Sequence, residues 1–558
     1  MLFDKLINMV VNYKKKTSHA RLNQHKDDPK TIQLNILLQT INANQQTGFG
    51  KEHHFAAIKS YEDFKRNVPI RTSGQYGSWL TRVYQGEENV ITRENPYYFA
   101  MTTGSTGDYK YIPITKGFRQ ETDNSTLAFV HLMEQHFPEM TNCSIQFLVG
   151  SGDGGTSPGG IPKGFVSGFN YKNLPSSITR RFVIPYWVFT LEDARDRYYA
   201  MARYLVDADD LVAIGAISPL NITNVAKSIL ENMERLISDL ANRKLTLSAA
   251  NQPLAEKQVF SARPEKLAAL RAYQAGTEPI HLIKVLFDKL KYFVTWSGGN
   301  MSYALTEVEQ YFGRKQLFEM PFSASEGIFS IPYAPNTKGG IAAITGHFLE
   351  FIPEDQIDLE HPEVLPVWEV EEGKTYYQVI TTAGGLYRYN MEDLIVVNGF
   401  WGKVPLLEFL SKKARQVSIS NERMTEKDFT DATNRVCSRL DIRFDHFIFF
   451  PCRSGFYRMV VGQALPDMIS FLQEIEAELR KTSMGYDFER EDLLLQPLRI
   501  NLVDKTALAQ YVQGFQFKSK LPSGQFKPLH LSNVFDGHEC FATENEYIMK
   551  GIANEQAA

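Results

Sequence analysis

The stretch from Asn95 to Thr115, NPYYFAMTTGSTGDYKYIPIT, decides how this chain is read. It runs from aromatic and small residues into Thr102-Thr103-Gly104-Ser105-Thr106-Gly107-Asp108-Tyr109-Lys110 and out into an apolar segment. That is a strand–loop–strand pattern. Tyr109, Tyr111, Ile112 and Ile114 cannot share one face of a strand, so the second strand is expected to be buried on both sides. The loop is not a P-loop, because Lys110 leads into a β-type run and not into a helix. Its chemistry still suits phosphate. Gly104 and Gly107 allow close backbone approach, and the hydroxyls of Thr103, Ser105 and Thr106 can donate to phosphate oxygens. Taken alone the signal is weak, since hydroxyl-rich turns often only reverse the chain.

Outward from this loop, helical patterns fall at Thr31 to Ala43, Gly117 to Phe137, Leu191 to Leu205 and Ile222 to Leu240. Strand-like runs fall at Ser144 to Val149, Leu211 to Ile217 and Tyr292 to Trp296. Such alternation argues for an α/β architecture. The Gly/Pro-rich run Val149 to Gly164 is too long for a plain turn and is expected to form a functional flap. After Phe409 the character changes. The polar run SKKARQVSISNERMTE (Ser411 to Glu426) leads to a smaller region with strands at Phe447 to Phe450 and Phe456 to Val461. There Met468, Phe471, Leu472, Ile475 and Leu479 form a helical stripe that reads as core.

At 558 residues the chain exceeds one ordinary core, so two or more domains are expected. A net charge of -4 offers no basic footprint for nucleic acid. No long uncharged apolar segment predicts a membrane span. The N-terminal Leu6, Met9, Val10 and Tyr13 are spaced as an amphipathic helix that packs on the body. Cys143, Cys437, Cys452 and Cys540 lie far apart without a CxxC pair, so reduced thiols in a cytoplasmic protein are expected. His538-Glu539-Cys540 holds metal-ligand types, but adjacent residues seldom converge on one ion, and the stretch reads as surface.

Two further stretches strengthen the phosphate reading. In MPFSASEGIFSIPY (Met320 to Tyr333), Glu326 sits in a small-residue turn before an apolar strand, where a carboxylate can hold Mg²⁺ against phosphate oxygens. In YYQVITTAGGLYRYNMEDLIVVNGF (Tyr376 to Phe400), Asp393 could accept bonds from ribose hydroxyls and Arg388 could neutralise an anion. The bland readings are a surface turn for Glu326 and a mutual ion pair for Arg388 and Asp393. The joint occurrence of the three stretches, in this order, favours a nucleotide.

On these motifs the chain resembles the auxin-responsive acyl-acid amido synthetases of the adenylate-forming superfamily, which includes acyl-CoA synthetases and firefly luciferase. Thr102 to Thr106 is similar to the family's phosphate loop, FSASEG (Phe322 to Gly327) to its adenine and metal segment, GLYRYNMEDLI (Gly385 to Ile395) to its ribose block, and VTWSGGN (Val294 to Asn300) to its Trp-x-Gly-Gly turn. The resemblance runs from TGFGKEHHF and FKRNVPI to the C-terminal region, and the Gly/Pro-rich segment brings it closer to the bacterial branch. It implies a large N-terminal adenylation domain of mixed β-sheets flanked by helices, residues 1–415, and a small mobile α+β domain, residues 416–558, with a hinge around 411–426. It implies ATP and Mg²⁺ as cofactors and a small carboxylic acid and an amine as substrates, with no nucleic acid or membrane partner and a monomer or weak oligomer. Thr102, Thr103, Ser105, Thr106, Ser325, Asp393 and Arg423 would bind nucleotide, and Glu326 the metal. Lys527 in SGQFKPLHLSN would be catalytic, with Lys520 as competitor, and Arg388 would hold a nearby anion or the sheet geometry. The chain departs from the family pattern where Glu392 replaces a glycine, Phe322 a tyrosine and Arg423 a lysine, and where an arginine is missing after Pro528. The implied activity is that of an AMP-forming ligase: adenylation of the acid, then transfer of the acyl group to an amino acid. The alternatives are an acyl-CoA ligase sharing the first step and a degenerate, non-catalytic nucleotide-binding protein.

Overall fold

The computed structural model describes residues 2–103, 109–174, 176–273, 277–297, 301–412, 416–442, 444–518 and 530–549. It divides into two compact units, one built from Met1–Thr102 and Lys110–Lys413, the other from Thr103–Tyr109 and Ala414–Ala558.

The first unit carries three sheets. β1 (Tyr98–Thr103) lies between β2 (Tyr109–Ile114) and β4 (Lys163–Gly164), and β3 is Ser144–Leu148. Ile112 and Ile114 are buried and Tyr111 is half-buried. β5 (Leu211–Ala216), β6 (Tyr292–Thr295) and β7 (Gln316–Glu319) join β3 in an all-parallel sheet ordered β3-β5-β6-β7. Every residue of β5 and β6 is buried, which is why both read as unbroken apolar runs. The third sheet is antiparallel and comprises β8 (Phe322–Ala324), β9 (Gly327–Ile331), β10 (Gly340–Ala342), β11 (Phe348–Pro353), β12 (Leu365–Pro366), β13 (Thr375–Thr381), β14 (Tyr389–Trp401) and β15 (Val404–Lys412). Its order is β12-β11-β13-β14-β15-β10-β9-β8.

Three local expectations change. The helical pattern Ile222 to Leu240 forms two helices, Pro219–Glu231 and Met233–Ala241. Asn232 stands at the break, and both its backbone N–H and its side-chain amide donate to the Ser228 carbonyl, at 3.2 and 3.0 Å. An asparagine amide that competes for the helix ladder favours an end. The N-terminal helix Leu2–Gln24 turns the other way from its apolar stripe: Met9 and Tyr13 are 67% and 68% exposed. It packs instead through Lys15, Ser18 and Leu22, with Lys15 paired to Glu134 and His19 ringed against His131 on helix Lys116–His136. The Gly/Pro-rich run is pinned, not a free flap. Gly154 N–H donates to the Lys163 carbonyl at 2.7 Å, Lys163 N–H to Gly155, and Phe99 N–H to Pro162. A Cβ on Gly159 would stand 2.6 Å from the Gly86 Cα, so only glycine permits that approach.

The second unit holds a four-stranded sheet, with a small ribbon of β16 (Gln416–Val417) and β17 (Met424–Thr425). The sheet is β18 (Phe447–Cys452), β19 (Phe456–Val461), β20 (Arg499–Val503) and β21 (Thr543–Ile548), in that order. Helix Met468–Thr482 buries the stripe Met468, Phe471, Leu472, Ile475 and Leu479 in its core. Among the described residues no helix is long and apolar enough to cross a membrane.

Candidate active site

β8 and β9 pair from Ala324 to Gly327, so Ser325 and Glu326 form the two-residue tip of a hairpin. Glu326 is only 5% exposed, and its Oε2 has no hydrogen-bond partner among the described residues. A buried carboxylate oxygen left unpartnered costs about 1–3 kcal/mol or more. It is therefore a natural ligand position for a hard cation.

β14 carries the other carboxylates named from the sequence. Opposite β13 the register slips: Tyr377 pairs with Leu394 and Val379 with Asn390, so Met391, Glu392 and Asp393 stand opposite the single Gln378. Glu392 takes φ +55°, with its N–H on the Asn390 Oδ1 at 2.8 Å. A left-handed residue inside a strand makes a bulge, and a bulge re-aims the side chains beside it. A glycine, which the resemblance leads one to expect at position 392, is the residue the left-handed region favours. Asp393, next to it, is 3% exposed. The Tyr389 phenol reports what converges here. Its pKa lies well above the ordinary value, raised first by burial, then by the charges of Glu326, Glu392 and Asp393, with the Ser73 hydroxyl opposing. The charges of two stretches remote in sequence thus both bear on one buried phenol.

Arg388 points elsewhere. At φ +49° it sends its guanidinium to Glu350 on β11, Nε to Oε1 at 3.1 Å and to Oε2 at 3.3 Å. Its Nη1 donates to the Val68 carbonyl at 3.0 Å. Glu350 is fully buried and also accepts from the Tyr61 hydroxyl at 3.0 Å. Burial raises the Glu350 pKa, while Arg388 and Tyr61 oppose. The guanidinium thus pairs with Glu350, and the bland reading of a mutual ion pair with Asp393 is not what its contacts show. Of the roles considered for Arg388, the one with visible partners is holding helix Tyr61–Asn67 against the sheet.

The GH3 family N-terminal domain matches residues 18–317, and the GH3 family central domain matches residues 340–412. The chain belongs to the GH3 family. Indole-3-acetic acid-amido synthetase GH3.3 of Arabidopsis thaliana is 22% identical over 422 residues, spanning 72% of this chain and 70% of its own. The 4-substituted benzoates-glutamate ligase GH3.12 of the same plant is 23% identical over 437 residues, spanning 75% of each chain. The solved structure of AtGH3.15 acyl acid amido synthetase in complex with 2,4-DB shares the fold at a TM-score of 0.65 and 19% identity, over 97% of this chain and 98% of that one.

In this GH3 chain the N-terminal motif TGFGKEHHF is a support for the GLYRY block. Phe49 and Phe55 pack on the Tyr387 ring at 4.9 and 5.0 Å, and the Tyr387 hydroxyl donates to the Ile91 carbonyl at 2.7 Å. Trp296, after β6, donates its Nε1–H to the Pro321 carbonyl at 3.1 Å, just ahead of the hairpin. Thr102 and Thr103 end β1, while Ser105, Thr106, Lys520 and Lys527 lie outside the described residues. Arg423 belongs to the second unit, at φ +50° with its N–H on the Ser418 hydroxyl at 3.1 Å.

Sequence reading missed a buried dyad beside the hairpin. His347 Nδ1 lies 2.9 Å from Glu121 Oε2, which also accepts the Ala383 N–H at 2.9 Å. His347 is fully buried, and its Nε2 is unpartnered among the described residues. A Cβ on Gly327 would meet that ring at 2.7 Å, so the glycine after Glu326 lets the imidazole close on the turn. The carboxylate sits on helix Lys116–His136 and the imidazole just before β11, a sequence separation of 226 that no local pattern reports.

Proposed function

We propose that this GH3 chain is an acyl acid amido synthetase: an AMP-forming ligase that uses ATP to adenylate a carboxylic acid and passes the acyl group to an amino acid. The observation that carries the reading is the family match over residues 18–317 and 340–412, beside the buried, unpartnered Glu326 oxygen at the hairpin tip. The relatives' names, an indole-3-acetic acid-amido synthetase and a benzoates-glutamate ligase, support an amine acceptor over CoA. The Gly/Pro-rich segment supports placing it on a bacterial branch.

In the first half-reaction an oxygen of the acid's carboxylate bonds to the α-phosphorus and the bond to pyrophosphate breaks. In the second, the acceptor nitrogen bonds to the activated carbonyl carbon and AMP leaves with the bonding pair. The first step joins one anion to another, so positioning and charge stabilisation dominate its catalysis. Asp393 would accept the ribose hydroxyls, and Ser325 would stand on the adenine side. Thr102, Thr103, Ser105 and Thr106 would donate to phosphate. Mg²⁺, when bound, supplies positive charge at the phosphate oxygens, and Glu326 with its unpartnered oxygen would hold it. Lys527 would neutralise charge at the α-phosphate, and Arg423 would act near the nucleotide when the smaller domain turns on the polar stretch 411–426.

The test is a screen of carboxylic acids by pyrophosphate release, followed by mass spectrometry of the product formed from mixed amino acids. An N-acyl amino acid with AMP release supports the proposal. An acyl-CoA product, formed only when CoA is supplied, would replace it.

A further inference from the structure

The second unit contains a group of side chains that adenylation does not use. Cys452 is the last residue of β18, and Asp536 and His538 flank Gly537 at the start of a short turn of 3-10 helix, Gly537–Cys540. Their ligand atoms all lie within 4.8 Å of one another. We propose that Cys452, Asp536 and His538 form a site for one divalent transition-metal ion of the Zn²⁺ type.

The donor set chooses the ion. Thiolate and imidazole suit zinc and its neighbours, whereas Mg²⁺ and Ca²⁺ prefer oxygen alone. The spacing also fits. Bonds of about 2.3 Å to sulfur and about 2.0 Å to nitrogen at a tetrahedral angle put the two ligand atoms about 3.5 Å apart. Cys452 Sγ and His538 Nδ1 stand 3.7 Å apart. Cys540, two residues after His538, is exposed, and the sulfur beside the imidazole comes instead from β18. Gly537 permits this closure, since a Cβ there would lie 2.8 Å from the Phe450 ring.

The surroundings orient the ligands. Asp536 Oδ1 accepts the Arg453 N–H at 3.1 Å, and Oδ2 lies 3.4 Å from the Arg453 Nε. Groups that hold a ligating carboxylate in this way fix its direction. The His538 pKa is lowered, first by burial and then by Arg458. Burial pushes the Cys452 thiol up to about 12, with Arg458 opposing. A thiolate ligand carries no proton, so the ion displaces the thiol proton on binding and releases one H⁺. Arg458 balances its charge against Glu546 at 2.6 Å, and its buried Nε has no hydrogen-bond partner among the described residues. That N–H is a donor available to a metal-bound thiolate.

The full-length, tag-free protein is stripped with a chelator and titrated with Zn²⁺ against a chromophoric competitor. One equivalent should bind per chain, with a dissociation constant at or below about 1 μM. Co²⁺ in its place should give a thiolate charge-transfer band. Cys452→Ser and His538→Ala should each weaken Zn²⁺ at least about 100-fold, while Glu326→Gln should leave it unchanged. If the wild-type chain takes up no stoichiometric Zn²⁺, the proposal falls without recourse to any variant. It falls equally if both variants keep wild-type affinity, because the sulfur and imidazole then form only a hydrogen bond.

Discussion

Arg388→Met keeps the side chain's length and removes its charge. In the native chain the guanidinium is the only cation within 4 Å of the Glu350 carboxylate among the described residues, and Glu350 has no solvent exposure. After substitution the carboxylate keeps the Tyr61 hydroxyl, and the Val68 carbonyl loses its donor. Breaking a buried ion pair from one side costs about 3–5 kcal/mol. The Glu350 pKa is already raised by burial, and removing Arg388 takes away the largest influence that lowers it. A carboxyl whose folded pKa exceeds its unfolded value is least costly when protonated in both states. Stability is then lost as pH rises from the ordinary glutamate range towards the folded pKa. The deficit of Arg388→Met should therefore be smaller in mild acid than at neutral pH, and Glu350→Gln added to it should recover part of the loss. Urea unfolding followed by circular dichroism at two pH values measures both effects. ATP–pyrophosphate exchange per folded molecule should fall far less than stability. Wild-type stability with abolished exchange would refute the reasoning and return Arg388 to the nucleotide.

Glu392→Gly should stabilise the first unit by about 0.5–1 kcal/mol, because relief of a left-handed residue exceeds glycine's added chain entropy; a lowered melting temperature would contradict it. Gly327→Ala should cost about 1–3 kcal/mol and slow adenylation, since the new methyl must displace the His347 ring from beside Glu326; unchanged exchange would show the turn to be slack. In the second unit, burial and then Glu422 raise the Glu489 pKa well above the ordinary value. Its ionisation therefore opposes folding as pH rises past the glutamate range, and Glu489→Gln should be stabilising at neutral pH with less gain in acid. Equal gains at both pH values would remove that account.

What the sequence disclosed depended on how local the cause was. The strands β5 and β6 were legible because parallel strands covered on both faces appear as short apolar runs. The Met468 to Leu479 stripe was legible because one helix face meets one core. The N-terminal helix misled because its packing residues, Lys15, Ser18 and Leu22, include a lysine whose stem is buried beside Glu134, while Met9 and Tyr13 face outward. The Asn232 break turns on one side-chain amide inside an otherwise continuous period. The carboxylates at the candidate site were named from their motifs, but the partners of Arg388 were not, since the Glu350 pairing depends on the order β11-β13-β14. The Glu121–His347 dyad joins a helix to a loop before β11 and leaves no periodic trace.

The most direct measurement is carboxylate-dependent ATP–pyrophosphate exchange by Asp393→Ala and Glu326→Gln, each beside its unfolding curve. The account predicts that both variants stay folded and that exchange is lost in the first and falls at least about 100-fold in the second. Folded variants that exchange at the wild-type rate would contradict the claim that these two carboxylates serve one molecule of ATP.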